Sequence, residues 1–279
     1  MPRNNEYPKG VRIIEVADEE LRQPQKALAR PSLSSQVQPR HTLPYIAAPH
    51  QISALSPFHV WPTGEIQPAR SLCIAWAPEA LASQQYRLLK YKLKQGIDPH
   101  IIGITSPQPR EGKSTVAANL SLALAEGRRT RVLLLDLNLR RPSLIAMFGL
   151  LTGGCLAEQL RRKHRDPSAK WDVLGLGPSL HLMAGADPMD NPSALLKSEE
   201  VARLLSDLME HYEYIVVDLP AVLQAADVKI IQEQIDGIVM VCRAGVSTKA
   251  AINTSIAQLG QAKIQGMVLM DIQTRYLHR

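Results

Sequence analysis

The sequence predicts an α/β fold: a doubly wound, mostly parallel sheet with helices on both faces. From about residue 78 onward, short apolar runs alternate with helical patterns. Several of these runs are apolar at every position, as in parallel strands that are covered on both faces. The chain has 279 residues, of which 45% are hydrophobic, which is enough for one large domain with a sizeable core.

The predicted elements follow one another in the order that this fold requires. The first helix is expected over 78–96, with Pro78 and Glu79 at its start and Gly96 at its end. Six strands are then expected, at 101–105, 131–137, 180–185, 214–220, 237–245 and 266–272. The apolar spacing between them predicts helices at 114–126, 193–211, 225–235 and 247–262.

Residues 1–75 differ in composition from the rest of the chain. Ten of the 20 prolines fall within residues 1–70, and neither a helical nor a strand period is sustained there. Proline removes a backbone donor and restricts the residue before it, which disfavours packed elements. The prediction is a largely disordered, proline-rich arm over 1–75, followed by a folded domain over 76–279.

Composition also narrows the compartment and the partners. The net charge of +6 permits anionic partners, but the basic clusters at 128–131 and 161–165 lack interleaved aromatic residues, so no nucleic-acid partner is predicted. The three cysteines form no paired motif, which argues against a cysteine metal site and suits a reducing compartment. No apolar run approaches the roughly 18 residues that cross a bilayer, and no signal-peptide core is present. A cytoplasmic location is expected.

The segment SPQPREGKST, residues 106–115, carries the first functional signal. It ends in a Gly-Lys-Ser sequence, follows a predicted strand and precedes a predicted helix. The N-terminus of a helix presents free N–H groups and a partial positive charge to phosphate. In this context Lys113 is expected to reach the β- and γ-phosphates of a nucleotide, and Ser114 to bind Mg²⁺. The alternative is a serine-capped helix with an exposed lysine.

Two aspartates follow apolar runs at the ends of predicted strands. Asp136 ends VLLLD, and Asp218 ends YIVVD. Ligands of open parallel sheets bind at the carboxyl ends of the strands. An apolar run that ends in aspartate is typical of the Walker B motif, so Asp218 is predicted to hold Mg²⁺ directly or through water. Asp136 is expected to assist phosphoryl transfer or to polarise a nucleophile, with a simple turn residue as the alternative.

Four stretches together resemble the bacterial tyrosine kinases (BY-kinases) of capsule and exopolysaccharide synthesis: TSPQPREGKSTVAANLSLALA, VLLLDLNLRRPSL, MDNPSALLKS and YIVVDLPAV. The resemblance covers roughly residues 79–272. It implies a P-loop fold of the MinD/ParA ATPase type, use of ATP and Mg²⁺, and phosphorylation of tyrosines on a neighbouring subunit. It also implies a homo-oligomer, and activation by the cytoplasmic end of a membrane polysaccharide chain-length regulator. That partner would recruit the chain to the inner face of the membrane.

The resemblance assigns roles to particular residues. Lys113 and Asp136 would be catalytic, and Ser114 and Asp218 would bind the metal. The nucleotide-binding residues would be Arg110, Glu111, Gly112, Lys113, Ser114, Thr115, Asn138 and Arg140.

Several positions depart from the family pattern. Arg110 stands where the family loop has glycine, and Asn138 replaces the second of two carboxylates. The family's oligomerisation motif, Glu-x-x-Arg-x-x-Arg, would fall on Gln84, Arg87 and Lys90. The loss of one preorganised electrostatic contact with a transition state lowers a rate by roughly 10²–10³-fold. The Asn138 change therefore predicts a slow enzyme that still binds ATP.

These departures leave two alternatives open. Only Tyr276 stands in the C-terminal tail, where the family has a tyrosine cluster, so a catalytically weak, nucleotide-gated regulator of the same machinery is one alternative. The other is a MinD/ParA-like positioning ATPase. That class has an additional lysine early in its loop, whereas here Arg110 is the only basic residue of the loop before Lys113.

Overall fold

The computed structural model describes residues 13–15, 57–63, 66–127, 130–150, 154–196 and 199–271. The strands of this part of the chain are β1 (Ile13–Glu15), β2 (Phe58–Pro62), β3 (Ile101–Thr105), β4 (Val132–Asp136), β5 (Trp171–Gly175), β6 (Leu180–Met183), β7 (Tyr214–Asp218), β8 (Gly237–Arg243) and β9 (Ile264–Met270). Its α-helices are α1 (Cys73–Trp76), α2 (Leu81–Gln95), α3 (Lys113–Ala125), α4 (Leu144–Met147), α5 (Leu156–Arg165), α6 (Ser193–Leu196), α7 (Glu199–Met209), α8 (Asp227–Ile231) and α9 (Lys249–Leu259). Two short 3₁₀ turns cover Gln232–Gln234 and Gln261–Lys263.

The strands form a single sheet in the order β1-β9-β8-β3-β7-β4-β6-β5-β2. Neighbouring strands are parallel except for β5 and β6, which are antiparallel. The register of β4 and β7 pairs their last residues, Asp136 and Asp218. Because β3 lies on the other side of β7, the carboxyl ends of β3, β7 and β4 meet at one edge of the sheet. The predicted doubly wound, mostly parallel fold is confirmed.

The apolar residues of the central strands are shared between two cores. Successive side chains of a strand point to opposite faces of the sheet. In β4, Val132 and Leu134 belong to the core beneath α2 and α3, whereas Leu133 and Leu135 belong to the core beneath α5 and α7. All four side chains are fully buried. Helices on both faces therefore explain why these strands are apolar at every position.

Each predicted strand and helix is present, with ends that differ by a few residues. The predicted helix over 193–211 is two helices, α6 and α7. The structure adds β1, β2 and β5 to the predicted strands, and α1, α4 and α5 to the predicted helices. None of the helices in the described part of the chain combines the length and the apolarity that spanning a membrane demands.

The packed part of the chain begins before the predicted boundary at residue 76. Phe58 of β2 is buried in one core, and Ile66 and Leu72 are buried in the other. Pro62 does not prevent this packing, because it ends β2 at the edge of the sheet, where a missing N–H is tolerated. Residues 1–12 and 16–56 of the predicted arm lie outside the described residues, and the division into arm and domain stays a prediction for them.

Residues 66–76, here called the strap, cross the phosphate-loop helix α3. Asn119 of α3 holds the strap through its side-chain amide. Its Oδ1 accepts hydrogen bonds from the backbone N–H of Ile74 at 3.2 Å and from the thiol of Cys73 at 3.4 Å. Its Nδ2 donates to the carbonyl of Ser71 at 2.9 Å. The strap is thereby fixed to the helix that begins at the Gly-Lys-Ser sequence.

Candidate active site

Residues 106–112 join β3 to α3 and form a loop around the first turn of that helix. Gly112 caps α3 with a φ of 97°, and Arg110 has a φ of 64°, so both lie in the left-handed region. No side chain of the described residues caps the helix, which leaves the N–H groups of its first turn available to an anion. Arg110 therefore adopts the conformation that a glycine would supply, at a cost of roughly 1 kcal/mol.

Side chains behind the loop support this conformation. Glu111 is fully buried, and its Oε2 accepts a hydrogen bond from the backbone N–H of Gln108 at 2.8 Å. The hydroxyl of Ser247 donates to Oε1 of Glu111 at 2.5 Å. Arg243, at the end of β8, donates to the carbonyl of Arg110 at 3.2 Å. The Glu111 carboxylate thus braces the loop from within the protein.

Two buried carboxylates lie beside the start of α3. Asp136 and Asp218 are both fully buried. The hydroxyl of Ser114 donates to Oδ2 of Asp218 at 2.5 Å. Asp136 accepts hydrogen bonds from two backbone N–H groups, that of Asn138 at 3.0 Å and that of Ser143 at 3.2 Å. The strand-end aspartates and the loop serine therefore form one cluster.

Burial dominates the electrostatics of the two carboxylates. Burial, and after it the charge of Asp218, raises the pKa of Asp136 to about 7. The hydrogen bonds that Asp136 accepts from backbone N–H groups oppose this rise. Burial also raises the pKa of Asp218, although Lys113 and the Ser114 hydroxyl favour its charged form. Two acids placed together in this way are stabilised by a cation or by a proton.

The oxygen atoms of this cluster suit Mg²⁺. Oδ1 of Asp218 is buried and accepts no hydrogen bond from the residues that the structure describes. Mg²⁺ prefers oxygen ligands and is usually held by one or two carboxylates together with substrate phosphates and water. Within the described residues, no group of three or more His, Cys, Asp or Glu side chains could hold a metal ion. Ser114 and Asp218 therefore fit the metal-binding role that the sequence assigned to them.

The loop after β4 carries Asn138 and Arg140. Nδ2 of Asn138 donates to the carbonyl of Arg141 at 3.0 Å. Nε of Arg140 donates to Oδ2 of Asp227 at 2.9 Å, and its Nη1 donates to the carbonyl of Asp190 at 3.0 Å. Asp227 is the first residue of α8. The sequence favours interpreting Asp227 as a carboxylate that stabilises the start of a helix. The structure shows that it also pairs with Arg140.

Two cavities lie on either side of the phosphate loop. One, of about 340 Å³, is lined among others by Ser71 of the strap, Thr115, Met147, Arg243, Met270 and Asp271. The other, of about 700 Å³, is lined among others by Asn138, Arg140, Asp190, Pro220 and Gln224. Four residues line both: Arg110, Lys113, Ser114 and Ser143. An elongated ligand that extends from one cavity to the other would pass over Lys113 and Ser114.

The positions aligned with the family's oligomerisation motif lie on α2, and two of them, Arg87 and Lys90, contact this chain's own α3 region, whereas the exposed Gln84 donates to the carbonyl of Glu79 at 3.1 Å. Arg87 donates through Nε to both carboxylate oxygens of Glu126, at 3.0 and 2.9 Å, and through Nη2 at 2.8 Å. Lys90 donates to a carbonyl of α3 at 2.7 Å. Burial lowers the pKa of Lys90, and the negative charge of Glu126, the second-largest effect, opposes this change. Tyr276 of the tail lies outside the described residues.

The chain is similar to known bacterial tyrosine kinases. It is 30% identical over 190 residues to tyrosine-protein kinase YwqD of Bacillus subtilis, with 64% of this chain and 76% of that protein covered. It is 31% identical over 178 residues to tyrosine-protein kinase ptk of Acinetobacter johnsonii, with 62% of this chain and 24% of that protein covered. The solved BceF tyrosine kinase domain has a TM-score of 0.62 to this chain at 26% identity, with 72% of this chain and 82% of that domain covered. No protein-family model matches the chain.

These similarities agree with the motifs and with the geometry of the site. The chain spans about three quarters of YwqD but only about a quarter of ptk. The matching motifs lie where a P-loop enzyme needs them: a phosphate loop between β3 and α3, and aspartates at the ends of β4 and β7. The chain belongs to the bacterial tyrosine kinase family.

Proposed function

We propose that this chain binds ATP with Mg²⁺ and transfers the γ-phosphate to tyrosine hydroxyl groups. The convergence of Lys113, Ser114, Asp136 and Asp218 at one edge of the sheet carries the proposal. The phosphate chain would lie across the first turn of α3, where backbone N–H groups and the Lys113 ammonium group are its donors. The nucleoside would occupy the cavity lined by Thr115, and the γ-phosphate would lie in the larger cavity on the other side of the loop.

The residues at this edge divide the work of phosphoryl transfer. Ser114 and Asp218 would hold Mg²⁺, which, when bound, neutralises charge on the β- and γ-phosphates. The tyrosine oxygen forms a bond to the γ-phosphorus while the bond to the bridging oxygen breaks, and ADP leaves. Asp136, whose oxygens accept only backbone N–H groups among the described residues, accepts the hydroxyl proton.

Substitution of the loop lysine tests this proposal. Lys113→Met removes the cation beside the phosphates and is expected to lower phosphotyrosine formation by at least about 100-fold. The purified chain is assayed with Mg·ATP, with and without the cytoplasmic peptide of a candidate chain-length regulator. Nucleotide affinity and phosphotyrosine formation are measured on the same samples. Lys94→Met, which removes an exposed lysine of α2, is the matched control and should leave both quantities unchanged. Absence of phosphotyrosine from the unmodified chain under all these conditions would refute kinase activity.

A second candidate function rests on Asn138. A neutral amide replaces the second carboxylate of the family pattern, which favours a nucleotide-gated regulator that binds Mg·ATP and turns it over slowly. If this candidate function is correct, the same assay should show measurable affinity for Mg·ATP and little formation of phosphotyrosine. Robust transfer to tyrosine would exclude it.

We also infer a role in capsule or exopolysaccharide synthesis, with recruitment to the inner face of the membrane by a chain-length regulator. The support is the set of motifs that the chain shares with the family. Self-association belongs to the same inference, since transfer to a neighbouring subunit requires two copies. Co-purification of the chain with a membrane regulator expressed in the same cells would test recruitment, and a chain that stays apart from every candidate regulator would count against it.

A further inference from the structure

Asp227 is a buried carboxylate, and one of its two oxygens holds Arg140, a residue that lines the larger cavity. The Asp227 side chain is 1% exposed. Its Oδ2 accepts Nε–H of Arg140 at 2.9 Å, and its Oδ1 accepts the hydroxyl of Ser193 at 2.5 Å. A buried charge is costly unless it is paired and hydrogen-bonded. Arg140 is the cation that pairs with Asp227.

These contacts fix the position of the Arg140 guanidinium group. Besides Nε, its Nη1 donates to the carbonyl of Asp190 at 3.0 Å, and its Nη2 lies 3.4 Å from the hydroxyl of Ser193. The backbone N–H of Met189 donates to the carbonyl of Leu139 at 2.7 Å, so the loop before α6 is also tied to the loop that carries Arg140. Arg140 remains 38% exposed, which leaves part of the guanidinium group accessible from the cavity.

Arg140 lines only one of the two cavities beside the phosphate loop. It shares the larger cavity with Lys113, Ser114 and Asn138, and it is absent from the smaller cavity beside Thr115. In the function proposed above, the larger cavity receives the γ-phosphate. A guanidinium group fixed there contributes to the binding of ATP and not to the binding of ADP.

We propose that Asp227 is a positioning residue that holds Arg140 at the γ-phosphate end of the nucleotide and so makes the site discriminate ATP from ADP. The inference rests on the proposed function for the place of the γ-phosphate, and it adds a residue and a selectivity that the motifs do not assign. Without the buried carboxylate, the long arginine side chain is free to adopt other rotamers, and ordering it on the ligand costs affinity. A guanidinium group that is already in position avoids this cost.

Nucleotide affinities test the inference without requiring catalysis. Dissociation constants for Mg·ADP and for a non-hydrolysable Mg·ATP analogue are measured by titration calorimetry. Asp227→Asn is expected to weaken binding of the analogue by about tenfold, the effect of losing one charge-assisted contact, and to leave the affinity for Mg·ADP within about twofold. The matched control is Asp172→Asn, which removes another Asp–Arg pair, 2.7 Å from Arg162 and outside both cavities. It should change neither affinity.

Double substitution separates a positioning role from a general structural one. If Asp227 acts through Arg140, Asp227→Asn should have no further effect on analogue affinity in an Arg140→Gln background. Asp227→Glu keeps the charge and displaces it by one methylene, so it should reduce selectivity less than Asp227→Asn does. It carries the test alone if the Asn variant does not fold.

Three results would overturn the inference. The first is a parallel loss of affinity for Mg·ADP and for the analogue, the second is an additive effect in the Arg140→Gln background, and the third is an unmodified chain that binds both nucleotides equally well. A chain that discriminates between the nucleotides through Asp227 but forms no phosphotyrosine would refute the kinase proposal and leave this inference standing.

Discussion

Arg110 has a φ of 64°, in the left-handed region that glycine normally occupies. An arginine restricts the backbone more than the glycine that the family loop has at this position. The loop nevertheless keeps the left-handed conformation, because Arg243 donates to the Arg110 carbonyl and buried Glu111 accepts from the backbone of Gln108. What the loop requires at this position is a backbone conformation, and the surrounding contacts can enforce it on a residue that has a side chain.

Asn138 is the residue whose substitution should raise the rate of phosphotyrosine formation. Asn138→Asp restores the second carboxylate of the family pattern beside Asp136, and it is expected to raise phosphotyrosine formation by roughly 10²-fold in the presence of Mg²⁺. Initial rates at saturating Mg·ATP measure the effect. Asn253→Asp, on the exposed face of α9, is the control for the added charge. An Asn138→Asp rate within about twofold of the unmodified chain would show that this amide does not limit catalysis.

Residues of the site differ in how far the sequence could reveal them. The loop lysine and serine and the two strand-end aspartates could be predicted, because each follows a strong local pattern that fixes its place in a parallel sheet. Asp227 could not, because its importance comes from a contact with Arg140, 87 positions away along the chain. Arg243 and Ser247 are similar cases, since they support the phosphate loop from the end of another strand.

Among the secondary-structure elements, those that the sequence did not reveal depend on distant partners. β2 pairs with β5, more than a hundred residues later, and lies at the edge of the sheet. Its proline-rich surroundings resemble a linker when they are considered without that partner. In α5, charged residues fill the second half of the helix, and only one side of its first half is apolar and buried. The long apolar strands and α3 could be predicted because their own composition determines how they pack.

Gly149 controls how the strap meets α4. It has a φ of 66°, and a Cβ atom there would lie 2.9 Å from the carbonyl carbon of Gln67 and closer still to its oxygen. Gly149→Ala is therefore expected to destabilise the chain by about 1–3 kcal/mol, from the overlap with backbone and the left-handed strain together. Thermal unfolding measures the change, with Gly245→Ala as the control. Gly245 also has a positive φ, of 73°, but in the described part of the chain no atom beyond its sequence neighbours lies within 4 Å of its added Cβ. Equal losses in the two variants would show that the close approach to the strap is unimportant.

At the scale of the whole molecule, the site exists because three distant segments end side by side. β3, β4 and β7 are separated in sequence, and their adjacent carboxyl ends bring the loop and the two aspartates together. Beyond β4 the sheet continues with β6, β5 and β2.

The stability of the whole chain should depend on pH through His181 of β6. This side chain is 4% exposed, its Nδ1 lies 2.7 Å from the hydroxyl of Tyr212, and its Nε2 has no partner among the described residues. Burial, followed by the charge of Arg131, lowers the pKa of His181 from 6.5 to about 4. The unfolded chain takes up a proton at His181 more readily than the folded chain does. The contribution of the neutral His181 to the free energy of unfolding is therefore fully present above the unfolded pKa of 6.5, and it is lost as the pH falls toward the folded pKa of about 4. The total is about 3 kcal/mol.

Urea unfolding of the unmodified chain and of His181→Gln tests this dependence. Glutamine can still hydrogen-bond to Tyr212 but does not titrate. Between about pH 7 and about pH 5, the unmodified chain is expected to lose about 2 kcal/mol more of its free energy of unfolding than the variant. Carboxylates that titrate in the same range affect both chains and cancel in the difference. Parallel curves would show that His181 is not the group responsible.

The strap takes part both in the packing against α3 and in the lining of a cavity. Ser71 belongs both to the segment that Asn119 fixes to α3 and to the lining of the cavity beside Thr115. Coupling between two binding events is reciprocal. A ligand that binds more tightly when the strap is packed on α3 must also stabilise the packed strap, by the same coupling free energy. A ligand of this kind would therefore stabilise the strap against detachment from α3. Ser71 belongs to the proline-rich stretch over 1–75, and it lines the cavity beside Thr115.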